Sequence, residues 1–161
     1  MSSTQDLQSA LDTLYAKYAT LRTDSSTKDF DDFAALFASD CEVYLRSMRE
    51  HKTPARSHAE IVEHLQDILK DQFLSKYRVV SQGFDEASRR VYTELANDYN
   101  IHGKVLPSFA ETCIATFDSD GRIKTFKLYS CRSDLVFLIQ KATGQGPYSQ
   151  EYLDHETVDC C

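Results

Sequence analysis

An α+β domain is what this 161-residue chain predicts, and three observations predict it. Apolar residues recur at helical spacing through the first 73 residues. Four runs of alternating, β-rich residues follow, at 76–84, 89–103, 108–118 and 122–131. Only short turn-forming segments ("DEAS", "KVLP", "DSDG") separate those runs, so the strands form an antiparallel meander after the helices instead of alternating with them.

The elements follow in order. Leu7, Leu11, Leu14, Tyr18 and Leu21 fall on one stripe and place an amphipathic helix over 5–22; "TDSSTK" ends it with capping and turn residues. Phe30, Phe33, Ala34 and Phe37 give a second helix at 29–38, with Asp29 near its positive end. "CEVYLRS" (41–47) alternates as a strand and "REHKTPAR" reads as a loop. Ser57, His58, Ala59 and Glu60 have the order of a capping box opening a helix at 58–73, whose apolar stripe is Ile61, Leu65, Ile68 and Leu69. After the four strands, "SDLVFLIQKA" (133–142) fits a closing helix. Residues 143–161 carry Gly, Pro and acids without periodicity and read as a loose tail, which leaves one domain over 1–142.

Composition narrows the function. Eighteen basic against 25 acidic residues give a net charge of −7, and the basic residues are scattered among acids, which argues against a nucleic-acid partner. No apolar run approaches the roughly 20 residues of a membrane span, and "MSSTQDLQSALD" lacks the apolar core of a signal peptide, so no membrane partner and a cytoplasmic address are expected. Cys41, Cys113 and Cys131 are widely spaced, with no CxxC and no His at ligand spacing. They read as buried free thiols, and no metal site is expected. Cys160 and Cys161 end the chain behind an acidic flank, which disfavours prenylation. No P-loop, dinucleotide fingerprint or Gly-flanked nucleophile elbow is present, so the expectation is chemistry without a cofactor.

Two stretches carry a family resemblance. "KDFDDFAALFASDCEVYLRSM" (28–48) is similar, without gaps, to the corresponding part of scytalone dehydratase and ketosteroid isomerase. "FDSDGRIKTFKLYS" (117–130) resembles the hairpin and last strand of SnoaL-like domains. The resemblance implies an NTF2-like cone: about three N-terminal helices held in a curved antiparallel sheet, with a ligand pocket between them. It also implies a small-molecule substrate, polyketide, terpenoid or alkaloid in kind, and a homodimer.

Strand parity selects the candidates inside such a cone. On 89–103 the apolar face is Val91, Thr93, Leu95, Asn97, Tyr99 and Ile101, which should point inward; Glu94, Asp98, Asn100 and His102 then face solvent or a second subunit. A one-residue slip at a β-bulge would reverse this. On 108–118 the aromatic face holds Phe109, Glu111, Cys113, Ala115 and Phe117. Glu111 would thus be a carboxyl in an aromatic hollow, where desolvation raises its pKa and suits it to general acid or base work. Asn97 and Tyr99 could orient a carbonyl beside it. Tyr18 lies on the first helix, where ketosteroid isomerases place an oxyanion-binding Tyr, and Tyr15 competes for that role. Phe33, Phe37, Leu45, His64, Leu95 and Phe109 complete the expected substrate lining with Tyr15. Arg46 opposes Val43 and Leu45 in parity and takes a rim or structural place, while His51 and His58 fall near loops and read as exposed. Each candidate has an alternative as ordinary core or surface structure.

The chain departs from the resembled enzymes. Leu45 stands where ketosteroid isomerase carries its Asp base and scytalone dehydratase a catalytic Tyr; Tyr77 stands where one dehydratase His is expected; Cys131 stands near the last-strand Asp common in SnoaL-like domains. Two readings remain: a cofactor-free isomerase, cyclase, dehydratase or rearrangement catalyst with Glu111 as acid or base, and a non-catalytic ligand-binding or dimerisation module.

Overall fold

The structure, a computed structural model, describes residues 4–47 and 53–155. Helix α1 (Thr4–Thr20) buries Leu7, Leu11, Leu14 and Tyr15 along one stripe. Helix α2 (Thr27–Ala34) opens on a reciprocal capping box: the Ser26 hydroxyl accepts from the Asp29 amide, and the Asp29 carboxylate accepts from the Ser26 amide. It stops at Ala34, and strand β1 (Phe37–Ser47) begins after two intervening residues. Phe37 is therefore a strand residue, although its spacing from Phe33 suits a helix. Pairing decides the matter, because the Leu36 carbonyl accepts the Ile123 amide and Phe37 registers against Ile123.

Helix α3 (His58–Leu69) is capped by Ser57, whose hydroxyl accepts from the Glu60 amide. Glu60 reaches past the cap to the Arg56 amide, so the expected box is opened by one residue. The helix ends at Leu69 rather than 73. Gln72–Lys76 forms an unforeseen strand, β2, followed by β3 (Val79–Asp85). Both pair antiparallel with β4 (Arg90–Ile101), at its two ends. The strand predicted at 76–84 is β3, and β2 occupies the end of the predicted helix and the residues after it, with Tyr77–Arg78 between the two strands. Strand β5 (Lys104–Phe117) runs back along β4, and β6 (Ile123–Ser130) follows. The sheet order is β1-β6-β5-β4-β2, with β1 parallel to β6 and the other pairs antiparallel.

The β4–β5 turn is His102-Gly103, not Lys104–Pro107. Both turn residues have positive φ (48° and 86°), as a tight two-residue hairpin requires. The even-numbered side chains brace this hairpin: Asn100 Oδ1 accepts from the Gly103 amide, and Asp98 Oδ1 accepts from the Ser108 amide at a bulge where Ser108 has φ 51°. That bulge switches parity within β5, so Leu106 and Phe109 both point inward and the odd-numbered inner face runs on through Phe117.

The concave face of the sheet closes on α1, α2 and α3 to make the core. Helix α4 (Ser133–Thr143) ends on Gly144 at φ 75°. Beyond it, α5 (Gln150–His155) buries Leu153, Tyr148 stacks on Tyr152 at 4.8 Å, and the Gln140 amide both donates to the Tyr148 carbonyl and accepts its N–H at 2.8 Å. No helix among the described residues is long and apolar enough to cross a membrane. His51, Cys160 and Cys161 lie outside the described residues.

Candidate active site

Parity along β4 and β5 places Thr93, Asn97, Tyr99 and Glu111 on the concave face. Leu95 registers with Glu111 and Asn97 with Phe109, so Asn97, Tyr99 and Glu111 meet on adjacent strands under the helices. Asn97 is fully buried, Tyr99 is 3% exposed and Glu111 is 7% exposed. Asn97 Nδ2 donates to Glu111 Oε2 at 2.7 Å, and the Tyr99 hydroxyl donates to the same oxygen at 2.8 Å. Both donors thus engage Oε2, and Oε1 has no partner among the described residues. Asn97 Oδ1 is buried and also unpartnered.

The electrostatics follow from that geometry. Burial lifts the Glu111 carboxyl above the ordinary glutamate range; hydrogen bonds from Tyr99 and Asn97, and the Arg132 charge, pull the other way without cancelling it. Tyr99 is raised by burial and by the neighbouring carboxylate, so its phenol keeps its proton and remains a donor. Arg132 follows β6, two residues beyond Ser130, which registers with Glu111; it donates to Gln72 Oε1 at 3.3 Å.

Helix α1 lowers two phenols onto this cluster. Tyr18 is partly buried and tilts against Phe33 at 6.1 Å, and its hydroxyl makes no hydrogen bond among the described residues. Its pKa is raised by burial and by Glu111, while Arg132 and Arg46 oppose the rise. Tyr18 therefore lies within electrostatic reach of all three charges. The buried Tyr15 hydroxyl lies against the Cys113 thiol, whose pKa burial pushes up to about 12. That thiol is not a nucleophile near neutral pH.

Glu111, Asn97, Tyr99, Tyr18 and Tyr15 are thus brought together by the fold. Phe33, Phe37 and Leu95 are packed into the core: Phe33 lies 5.7 Å from Phe37, and Phe37 meets Phe126 edge-on at 6.1 Å. Phe109 packs edge-on against Tyr99 at 5.7 Å and so walls the carboxyl. Leu45 and His64 stand elsewhere, on a cavity of about 410 Å³ between β1 and α3 whose other walls include Val43, Arg46, Asp67 and Ile68. Arg46, given a rim or structural place by strand parity, faces this cavity because β1 shifts register between Val43 and Ser47. Two further expectations are corrected. Cys131 is exposed, just past the end of β6, and His58 is half-buried with Nε2 2.9 Å from the Phe37 carbonyl. Arg132 escaped the sequence reading altogether, since only the β5–β6 register places it near Glu111. Among the described residues no group of three or more His, Cys, Asp or Glu is placed to hold a metal.

A curved sheet closed over three helices is the NTF2-like cone, and the chain has that fold. Solved structures match it over most of its length. An LEH-like epoxide hydrolase from M. tuberculosis shares 17% identity, with 85% of this chain and 91% of that chain covered at a TM-score of 0.62. The epoxide hydrolase/cyclase-like enzyme SalBIII, described for pyran ring formation in polyether salinomycin, shares 12% identity over 83% and 97% of the two chains at 0.64. An NTF2-like protein of unknown function from Exiguobacterium sp. 255-15 shares 17% identity over 77% and 99% at 0.59. The structural neighbours thus include enzymes, and at these identities the likeness is one of fold. No protein-family model and no curated protein matches the sequence.

Proposed function

We propose that this protein is a cofactor-independent acid/base enzyme acting on a small oxygenated, largely apolar molecule, as an isomerase, cyclase, dehydratase or rearrangement catalyst. One observation carries the reading: a largely buried carboxyl, 7% exposed, takes two donors on one oxygen, while its other oxygen has no partner among the described residues. Structural carboxyls in a core are ordinarily satisfied on both oxygens. In this reading Oε1 of Glu111 exchanges the proton. Protonated, it donates to a leaving hydroxyl or ring oxygen; ionised, it accepts a proton from carbon. Its raised pKa moves the pH at which both forms are populated up toward neutrality.

Asn97 and Tyr99 are positioning residues here, because their donors are used on Glu111 and not on a ligand. The Tyr18 hydroxyl, which has no competing partner, polarises a substrate carbonyl and meets the developing oxyanion. Arg132 and Arg46 lower the cost of charge at that point. A homodimer belongs to the same reading. The convex face carries Tyr92 and Tyr129, 40% and 43% exposed, in register rows with Ile114 and Thr112.

A thermal-shift screen of polycyclic and terpenoid ketones finds ligands, since binding to the native state raises Tm. For a ligand that turns over, Glu111→Gln should lower kcat/KM by about a hundredfold or more. A loss below about tenfold, roughly 1.4 kcal/mol of barrier, removes Glu111 as the principal acid or base. A second reading, a non-catalytic binding module, draws on the ring packing of Phe109 and Phe33 around the cluster, and on a cavity whose walls do not include Glu111. Ligand binding without turnover in wild type and Glu111→Gln alike would favour it.

A further inference from the structure

The β1–α3 cavity holds a guanidinium that the mechanism above uses only at a distance. The Arg46 side chain is 22% exposed, and its Nη2 donates to Asp67 Oδ2 at 2.8 Å. Its other N–H groups have no partner among the described residues. Asp67 sits at the solvent edge, 56% exposed, and its other oxygen lies 3.4 Å from Lys70 Nζ. Burial would raise the Asp67 pKa, but the charges of Arg46 and Lys70 outweigh it and keep the carboxylate ionised. The walls beside Arg46 are apolar (Val43, Leu45, Ile68), and His64 lies one helical turn before Asp67. The volume, about 410 Å³, is that of a small-molecule site.

We propose that this cavity binds the carboxylate of a small amphipathic organic acid, with Arg46 taking the carboxylate and the wall of Leu45 and Ile68 taking its hydrocarbon body. The chemistry is specific to that class. A planar guanidinium presents paired donors that match a carboxylate bidentately, whereas a neutral amide or ester offers it a single acceptor. Arg46 is tied by one bond to a carboxylate that already has a second cation, so Asp67 can remain on Lys70 while a ligand takes the inner donors. The overall charge of −7 repels anions in general, which leaves the Arg46 guanidinium, the one Lys or Arg among the cavity's lining residues, to select them. The inference goes beyond the role given to Glu111 and does not rest on it.

The test is isothermal titration of the full chain near neutral pH with benzoate and with benzamide, which share shape and differ in charge. Wild type should bind benzoate at least about tenfold more tightly than benzamide. Arg46→Gln should abolish that preference. Asp67→Asn keeps Arg46 and removes its competitor, so it should tighten benzoate severalfold; this arm holds even if Arg46→Gln folds poorly. Equal binding of the two probes by wild type, binding of neither, a benzoate preference that survives Arg46→Gln, or weaker benzoate binding by Asp67→Asn would each overturn the assignment. The measurement reads binding and not turnover, so its outcome is separate from that of the Glu111 experiment.

Discussion

Glu111→Gln is the most informative single change, because its effect on stability depends on pH in a way the buried cluster dictates. The variant side chain keeps one carbonyl oxygen to accept from Asn97 Nδ2 and the Tyr99 hydroxyl, which lie 2.7 and 2.8 Å from Oε2 in the wild type, and it never ionises. In the wild type each of those bonds stabilises the carboxylate by about 1.5–3 kcal/mol, against a desolvation penalty of several kcal/mol. Burial is the larger influence, so the native pKa lies above the value of 4.5 expected of an exposed glutamate. The sign follows from proton counting. Below pH 4.5 both states of the wild type hold the proton and the linkage is silent. As pH rises the unfolded chain ionises first, the native state binds more protons, and stability falls by up to about 1.4 kcal/mol per pH unit until the native carboxyl titrates. Glu111→Gln lacks this loss, so its stability relative to wild type should improve as pH rises above 4.5 and level off once the native carboxyl has titrated. Urea unfolding of both proteins from acid to neutral pH measures the difference, and contributions common to the two cancel. Parallel curves, within about 0.5 kcal/mol, would refute a lifted Glu111. A relative loss for the variant with rising pH would reverse the sign and show the hydrogen bonds prevailing over burial.

Tyr99→Phe removes one of the two donors to Oε2 and should cost about 1.5–3 kcal/mol where Glu111 is ionised and about 1 kcal/mol where it is neutral; urea unfolding on either side of the titration reads the widening gap, and a pH-independent cost would detach Tyr99 from the carboxylate. Phe37→Ala, at a fully buried ring between Phe33 and Phe126, should cost about 3–5 kcal/mol by the same method. Ile114→Lys on the convex face should leave the circular dichroism spectrum unchanged and shift sedimentation from dimer to monomer; a wild type that sediments as a monomer at every concentration removes the proposed interface.

Much of this architecture was legible in side-chain periodicity. The stripe Leu7, Leu11, Leu14, the alternation Leu95, Asn97, Tyr99, Ile101, and the odd-numbered run from Phe109 to Phe117 each record which face is buried. Burial is imposed residue by residue on a helix or strand of fixed period. The inward position of Glu111 was therefore readable before any coordinates. What periodicity cannot carry is pairing between distant segments. Phe37 suits a helix after Phe33 and Phe73 suits one after Leu69, yet Phe37 pairs with Ile123 and Phe73 with Asn100, and backbone hydrogen bonding to the sheet prevails over local spacing. The docking of α5 depends likewise on the Gln140 amide reaching Tyr148.

The candidate site divides along the same line. The chain alone determined that Glu111, Asn97, Tyr99 and Tyr18 would face one interior, since parity and helical phase are local properties. Only the tertiary structure decided that both Asn97 and Tyr99 donate to a single oxygen of Glu111, that Arg132 stands near it, and that Leu45 and His64 line a separate cavity with Arg46 and Asp67. Those outcomes turn on strand register, on a bulge at Ser108 and on a register shift in β1. Each displaces side chains by a few ångströms, and that distance separates a hydrogen bond from no contact.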